Sequence, residues 1–265
     1  MTRTEPEKLR DHIAQDNTLL PRTREALLQA VHFLRDQCHI PSVQFLPYSI
    51  QLVLVAQYMT PKNVASGALY KWFWHTTYIE WFSVVNGSHI KQSIEALWFY
   101  EAPSEDLPAS YAPEILFASV QPYEQFHLKA ARAKAWAIRL AEMQPLDLDG
   151  RPLPALELLR VHGSKALVIW GRDLANYVQP VPARTVANRL LLDPTTARRF
   201  LKTLYEAPRS IPREVLVSHF WNEDAIQGLF SGDISDSLRS RSRFMNQFEK
   251  SFINRIGYYD LDIVF

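Results

Sequence analysis

The chain contains 265 residues, of which 47% are hydrophobic and 22% are charged, and its formal net charge at neutral pH is +1. This balance is typical of a globular protein that buries a sizeable core, and it excludes a long-range attraction of the whole molecule to nucleic acid. The single cysteine, Cys38, excludes a disulfide framework and a cysteine-rich zinc site. Eight glycines, with no GxGxxG or GxxxxGK(S/T) pattern, argue against dinucleotide-binding and P-loop folds.

The N-terminus, MTRTEPEKLRDHIAQD, is polar and lacks the apolar segment of a secretory signal. No apolar run in the sequence approaches the length of a membrane-spanning helix. Together with the low cysteine content, these features predict a cytoplasmic protein in a reducing compartment, with no membrane partner.

Apolar residues at helical spacing, interrupted by prolines, predict a mainly α fold, which we interpret as a multi-helix orthogonal bundle. The predicted helices cover residues 22–38, 48–59, 67–85, 88–99, 122–143, 155–170 with an extended end, 194–205, 213–220 and 234–256. In the first of them, one predicted apolar face contains Leu27, Ala30, Val31, Leu34 and Cys38.

A loop rich in proline, serine and acidic residues, EAPSEDLPASYAP, ends near residue 113. We therefore divide the chain into a polar segment at 1–20, an N-terminal helical subdomain at 21–112 and a C-terminal helical subdomain at 113–265.

The stretch LYKWFWHTTYIEWF at residues 69–82 contains three Trp, two Tyr and two Phe. Because it is apolar around most of a helix, we interpret it as the centre of a helical core. Stacking against single-stranded or flipped bases is the alternative for so many aromatic residues.

The usual catalytic patterns are missing from the sequence. No two of the eight histidines have the i, i+3 or i, i+4 spacing of a helical metal pair, and GxSxG is absent. Cys38 lies on an apolar helical face, and PLDLDGRP lacks the closing Glu of a calcium loop. We therefore predict no catalytic residue, no metal site and no cofactor.

The distribution of basic residues is more informative. Residues 184–213 contain seven Lys or Arg, against the acidic residues Asp193 and Glu206, and the last helix adds Arg239, Arg241 and Arg243. Such clusters bind phosphate backbones, although a solvated helix face balanced by acids elsewhere is the alternative. The DNA-binding candidates are Arg184, Arg189, Arg198, Arg199, Lys202, Arg239, Arg241 and Arg243. A second basic face is predicted on helix 122–143, from Lys129, Arg132 and Arg139.

Several stretches occur in the order found in one family of restriction proteins. They are FLRDQCHIPSVQFLPYSIQLVLVA, YKWFWHTTYIEWFSVVNGSHIKQSIEAL, LDLDGRPL, VANRLLLDP and VLVSHFWNEDAIQGLFSGDISDSLRSRSRFM. Over residues 25–250 the chain resembles the C-terminal half of GmrSD-type proteins, which join a ParB- and sulfiredoxin-like nucleotide-binding domain to a helical region and an HNH-type nuclease tail. The WFW segment and an SH…GD…R pattern are the most specific matches. The resemblance implies a small degenerate ββα element near residues 165–205.

The chain departs from this family at the positions that perform its chemistry. The N-terminal QR and Trp motif has no match, and NYVQP stands where catalytic members have an HHIFP-like motif, so both histidines are replaced. Asn188 matches a later Asn of the family, but one Asn supplies neither the base nor the metal ligand that hydrolysis needs.

We therefore interpret the chain as a noncatalytic helical module of a defence or restriction system. It would bind DNA, a ParB-like nucleotide-binding or nuclease subunit, or both. One alternative is a metal-dependent endonuclease with relocated ligands, for which the candidates are His162, Asp173, Asn188 and His219. Another is a protein-interaction scaffold that binds no nucleic acid.

Overall fold

The computed structural model describes residues 6–59, 66–78, 80–83, 90–91, 126–170 and 185–256. The chain forms two compact units. Unit 1 contains Met1–His39 and Pro47–Phe117, and unit 2 contains Ile40–Leu46 and Ala118–Phe265. The short segment Ile40–Leu46 thus belongs with the C-terminal residues, an excursion that the division by sequence does not include.

Unit 1 is helical in its described part. Its helices are α1 (Pro6–Gln15), α2 (Leu19–Asp36), α3 (Ser49–Met59) and α4 (Ser66–Tyr78). Helices α2 and α3 pack against each other, with Ala26, Ala30, Phe33 and Leu34 of α2 buried. Most of the predicted helix 88–99 lies outside the described residues.

The aromatic stretch forms a core, as predicted for residues 69–82. Trp72, Phe73, Trp74, Tyr78 and Phe82 are all buried, with edge-to-face contacts such as the 6.2 Å between the ring centroids of Trp72 and Phe82. Such contacts are favourable beyond the burial of area alone. These rings are therefore inside unit 1, where a base does not reach them.

A buried amide joins α3 to α4 within this core. Gln51 donates from Nε2 to the carbonyl of Phe73 and to the hydroxyls of Thr76 and Thr77, at 3.0–3.1 Å. Because a buried amide is costly unless it is bonded, these contacts fix the two helices in one register.

Unit 2 contains most of the remaining elements. They are α5 (Ala131–Glu142), α6 (Ala155–His162), β1 (Leu167–Ile169), β2 (Arg189–Leu191), α7 (Ala197–Glu206), α8 (Arg213–Ser218), α9 (Glu223–Ser231) and α10 (Ile234–Arg255). Short 3₁₀ turns lie at Val43–Phe45, Gly163–Ala166, Val186–Asn188 and Pro208–Ser210. The mainly α fold is confirmed. Helix α10 ends one residue before the predicted bound, whereas α5 begins at Ala131, later than the pattern predicts.

Strands β1 and β2 form a small antiparallel pair, with Leu167 opposite Leu191 and Ile169 opposite Arg189. Successive side chains of a strand point to opposite faces. Leu191 accordingly enters one core, with Trp136 and Phe220, while Leu190 and Leu192 enter another that contains Trp170. Helix α7 follows β2, so a two-strand, one-helix arrangement is present in the interval predicted for the ββα element.

Helices α9 and α10 form a tight hairpin. Gly232, at φ +80°, ends α9 in the left-handed region that favours glycine, and Asp233 then caps α10 by accepting a bond from the Asp236 amide. At Gly228 a Cβ would lie only 2.7 Å from the Ser237 amide nitrogen. The GD pair of the sequence pattern is therefore explained by this turn.

Among the residues that the structure describes, no helix combines the length and the hydropathy that crossing a membrane requires.

Candidate nucleic-acid interface

Helix α7 separates apolar from basic residues sharply. Ala197, Phe200 and Leu204 are buried against the second core of unit 2. The helix is preceded by a turn in which the Asp193 carboxylate accepts bonds from the amide and hydroxyl of Thr195. These bonds lower the pKa of Asp193, because they favour its charged form. The entry to α7 is thus fixed by local hydrogen bonding.

The exposed side of α7 contains Arg198, Arg199 and Lys202, which we call the basic edge. The Arg199 guanidinium lies 3.7 Å from Asp149, and the Lys202 amine lies 3.8 Å from Glu206. Both basic side chains stay about 70% exposed (71% and 70%). Ion pairs this exposed contribute little stability and are screened by salt, so a phosphate can compete for the same cations.

The arginines that flank the basic edge have local partners. Arg209 donates to the carbonyl of Phe230 at 3.3 Å and lies over its ring. Arg213 forms an ion pair with Glu223. These contacts join Arg209 and Arg213 to α9, but they are as exposed as the ion pairs of the basic edge.

The candidates on α10 differ from one another. Arg239 is paired with Asp236 one turn earlier, at 3.7 Å, and Arg243 is exposed. Arg241 is fully buried, at 0% exposure, and its prediction as a DNA contact is wrong. It faces inward because its guanidinium donates to the carbonyls of His219 and Arg189, both at 2.9 Å, and to that of Ala187.

The remaining candidates of this set lie before α7. Arg189 is partly buried in β2, donates to the carbonyl of Leu167 at 3.1 Å, and lies 5.4 Å from the centroid of the Phe126 ring. Arg184 lies outside the described residues. Of the eight predicted residues, the three of the basic edge form the largest exposed group on one described element, whereas α10 has two exposed members, Arg239 and Arg243.

The basic face predicted on helix 122–143 is wrong for two of its three residues. Arg132 is buried and forms an ion pair with Glu249 at 3.3 Å. Arg139 is also buried, pairs with Glu142 at 2.8 Å, and lies 3.8 Å from the centroid of the Phe252 ring. Their spacing predicts a shared exposed face, but both residues are buried against α10, where Glu249 contacts Arg132 and Phe252 contacts Arg139.

The candidates for relocated metal ligands do not form an open site in the described part of the chain. His219 and Asn188 are buried, and His162 is half-buried near Asp193, whereas Asp173 lies outside the described residues. His219 Nε2 lies 2.9 Å from the Leu146 carbonyl, so this nitrogen donates. Burial lowers the pKa of His219 to about 4, so the ring is neutral at pH 7. Within the described ranges, no group of three His, Cys, Asp or Glu side chains is placed to hold a metal.

One cluster that sequence patterns did not predict explains the SH…R part of the pattern. Ser218 accepts a bond from the Leu146 amide at 3.0 Å, while His219 donates to the carbonyl of the same residue. Arg241 then donates to the carbonyls of His219, of Ala187 in the turn before β2, and of Arg189, the first residue of β2. We call Ser218, His219 and Arg241 the clasp. No local sequence pattern joins these three residues, because the backbone groups that they bond lie 22 to 73 positions away in the chain.

The comparisons with known proteins leave the family open. No family model, no curated protein and no solved structure matched the chain. The resemblance to GmrSD-type proteins therefore stays a hypothesis, and the geometry of unit 2 has to support any function by itself.

Proposed function

We propose that this chain is a noncatalytic helical module that binds nucleic acid through the basic edge of α7. The observation that supports it best is the grouping of Arg198, Arg199 and Lys202 on the exposed side of a helix fixed against the core. The helix rises about 6 Å between Arg198 and Lys202, so both side chains reach along one stretch of backbone.

Binding of this kind depends on counterion release. Each phosphate that a Lys or Arg neutralises contributes a slope of about 0.9 to the dependence of log affinity on log salt for duplex DNA. Three such cations therefore give a measurable slope even though the molecule as a whole is almost neutral. Breaking the two exposed ion pairs with Asp149 and Glu206 costs little.

The noncatalytic part of the proposal is supported by the clasp. His219 and Asn188, two candidates for a relocated nuclease site, are buried side chains, and the His219 ring is engaged with a backbone carbonyl. A general base or metal ligand has to reach substrate or metal through an accessible nitrogen or oxygen. The resemblance would add a restriction-type setting, with the nucleotide-hydrolysing and cutting parts supplied by a ParB-like or nuclease partner.

The test is a titration of labelled duplex DNA by fluorescence anisotropy across a range of salt concentrations. The variant replaces all three residues of the basic edge: Arg198→Gln, Arg199→Gln and Lys202→Gln. We expect weaker binding and a slope that is flatter by about 0.9 for each phosphate that the variant no longer neutralises.

The matched control removes the same charge from unit 1, with Arg22→Gln, Arg24→Gln and Lys71→Gln, all at exposed positions. It should leave the slope nearly unchanged. Equally weakened binding in the two variants would show that net charge alone matters and would overturn the assignment to α7. Failure of the wild type to bind at low salt would favour the interaction scaffold. Cleavage of plasmid DNA with magnesium or manganese, abolished by His219→Ala, would favour the nuclease.

A further inference from the structure

The basic edge continues into an aromatic side chain. Tyr205 lies seven residues after Arg198 and three after Lys202, so the three share one stripe of α7. Tyr205 is 45% exposed, and it is the one aromatic residue among the exposed large hydrophobic side chains of the described ranges. Tyr205 therefore adds an exposed aromatic ring to the stripe that contains Arg198 and Lys202.

Contacts with Trp170 hold the ring of Tyr205 in place. It lies nearly parallel to the ring of Trp170, with 27° between the planes and 6.4 Å between the centroids, and its hydroxyl donates to the Trp170 carbonyl. Trp170 is buried and meets Trp221 edge to face at 5.3 Å. The tyrosine therefore has little rotamer freedom left to lose when a ligand covers its exposed part.

A fixed aromatic ring beside two cations matches the chemistry of an unpaired nucleotide. Cations hold the phosphates, and the ring stacks on the base, whatever its sequence. Bases within an intact duplex are already stacked on their neighbours. A tyrosine on a protein helix can therefore stack on such a base only after the base has left its neighbours.

We propose that the basic edge and Tyr205 bind nucleic acid that contains unpaired bases, with phosphates on Arg198 and Lys202 and one base stacked on Tyr205. This inference rests on the proposed function and specifies its substrate class. The full chain should bind single-stranded DNA, or a duplex with a bulge, more tightly than a perfect duplex of the same length.

The deciding variant is Tyr205→Leu, measured by anisotropy with the three DNA forms. Its affinity for single-stranded and bulged DNA should fall roughly tenfold, because leucine offers no ring for a base to stack on. Its affinity for the perfect duplex and its salt slope should not change, because no charge is removed. Tyr205→Phe keeps the ring and should rescue the preference for unpaired bases.

A second readout does not depend on weakened binding. Tyr205→Trp places a fluorophore in the stripe, and single-stranded DNA should quench its added emission more than duplex DNA does. A matched control, Val161→Leu, changes another exposed apolar residue of unit 2 and should leave the preference intact.

The failures of the two proposals are distinguishable. If the basic-edge variant weakens binding of all forms while Tyr205→Leu weakens none, the stacking inference is wrong and the proposed function stands. If the wild type binds neither single-stranded nor duplex DNA at low salt, both are wrong.

Discussion

Helices α2 and α10 depart from the usual relation between hydropathy and burial in opposite ways. Helix α2 leaves four aliphatic side chains exposed: Leu20, Leu27, Leu28 and Val31. Helix α10 buries five polar or charged ones: Ser237, Ser240, Arg241, Ser242 and Glu249. Hydrogen-bond and ion-pair partners allow Ser237, Arg241 and Glu249 to be buried on α10, since a buried polar group without a partner is costly.

The partners around α10 come from distant parts of unit 2. The Trp221 indole donates to the Ser237 hydroxyl, which donates to the Ala225 carbonyl. Arg241 reaches residues that are 22, 54 and 52 positions away in sequence. Its guanidinium also lies 4.7 Å from the centroid of the Trp221 ring, a favourable position for a desolvated cation.

The largest expected effect is therefore at Arg241. Arg241→Met keeps an apolar stem but leaves two buried carbonyls and one partly buried carbonyl without this donor, so we expect the free energy of unfolding to fall by about 3–5 kcal/mol. Urea unfolding followed by circular dichroism measures it. Arg243→Met, two residues further along the same helix at an exposed position, is the control and should change it by less than about 0.5 kcal/mol. Similar small effects in both variants would mean that the clasp does not stabilise unit 2.

His219 gives the next largest effect and makes the clasp sensitive to pH. Burial is the main cause that lowers the pKa of His219 from 6.5 to about 4, so the unfolded chain binds a proton at a higher pH than the folded one. Stability is therefore fully present above pH 6.5 and is lost as the pH falls toward 4, by up to about 3 kcal/mol.

Urea unfolding of the wild type and of His219→Gln, compared at several pH values, isolates this contribution. The glutamine can still donate to the Leu146 carbonyl but does not titrate, so its stability should fall less between pH 6.5 and 4. Some decrease should remain, because burial also lowers the pKa of His75 in unit 1 to about 4. Parallel curves for the two proteins would contradict the burial of a neutral His219.

The sequence alone predicts some features of this structure and not others. Helical periodicity and prolines predict the mainly α fold, and the near-complete apolar circumference of residues 69–82 predicts the aromatic core. The exposure of the basic edge follows from the amphipathic pattern of α7. The burial of Arg132 and Arg241 cannot be predicted in this way. Periodicity identifies the residues that share a helix face, but not the residues against which that face packs. Glu249 is 117 positions from Arg132, and no local pattern joins them.

The same limit applies in the opposite direction to α2, where Leu27 and Val31 were predicted to share the buried face of Ala30. Leu27 is 37% and Val31 46% exposed, whereas Ala30 is fully buried. Successive residues of a helix are about 100° apart, so a face centred on Ala30 and Phe33 turns Leu27 and Val31 toward solvent. The wide apolar arc of α2 thus contains more aliphatic residues than its neighbours in the described part of unit 1 cover.

The smallest expected effect tests this interpretation. The double change Leu27→Gln and Val31→Gln should alter the free energy of unfolding by less than about 0.5 kcal/mol, since it removes exposed aliphatic groups. Ala30→Gln, on the same helix, should cost about 1–3 kcal/mol, because it forces a larger polar side chain into a filled position. If the double variant is the more destabilised of the two, the aliphatic arc is covered in solution. Urea unfolding repeated across protein concentrations then shows what covers these side chains. A urea midpoint that rises with concentration only in the wild type indicates a second copy of the chain. A constant midpoint indicates contacts within the molecule.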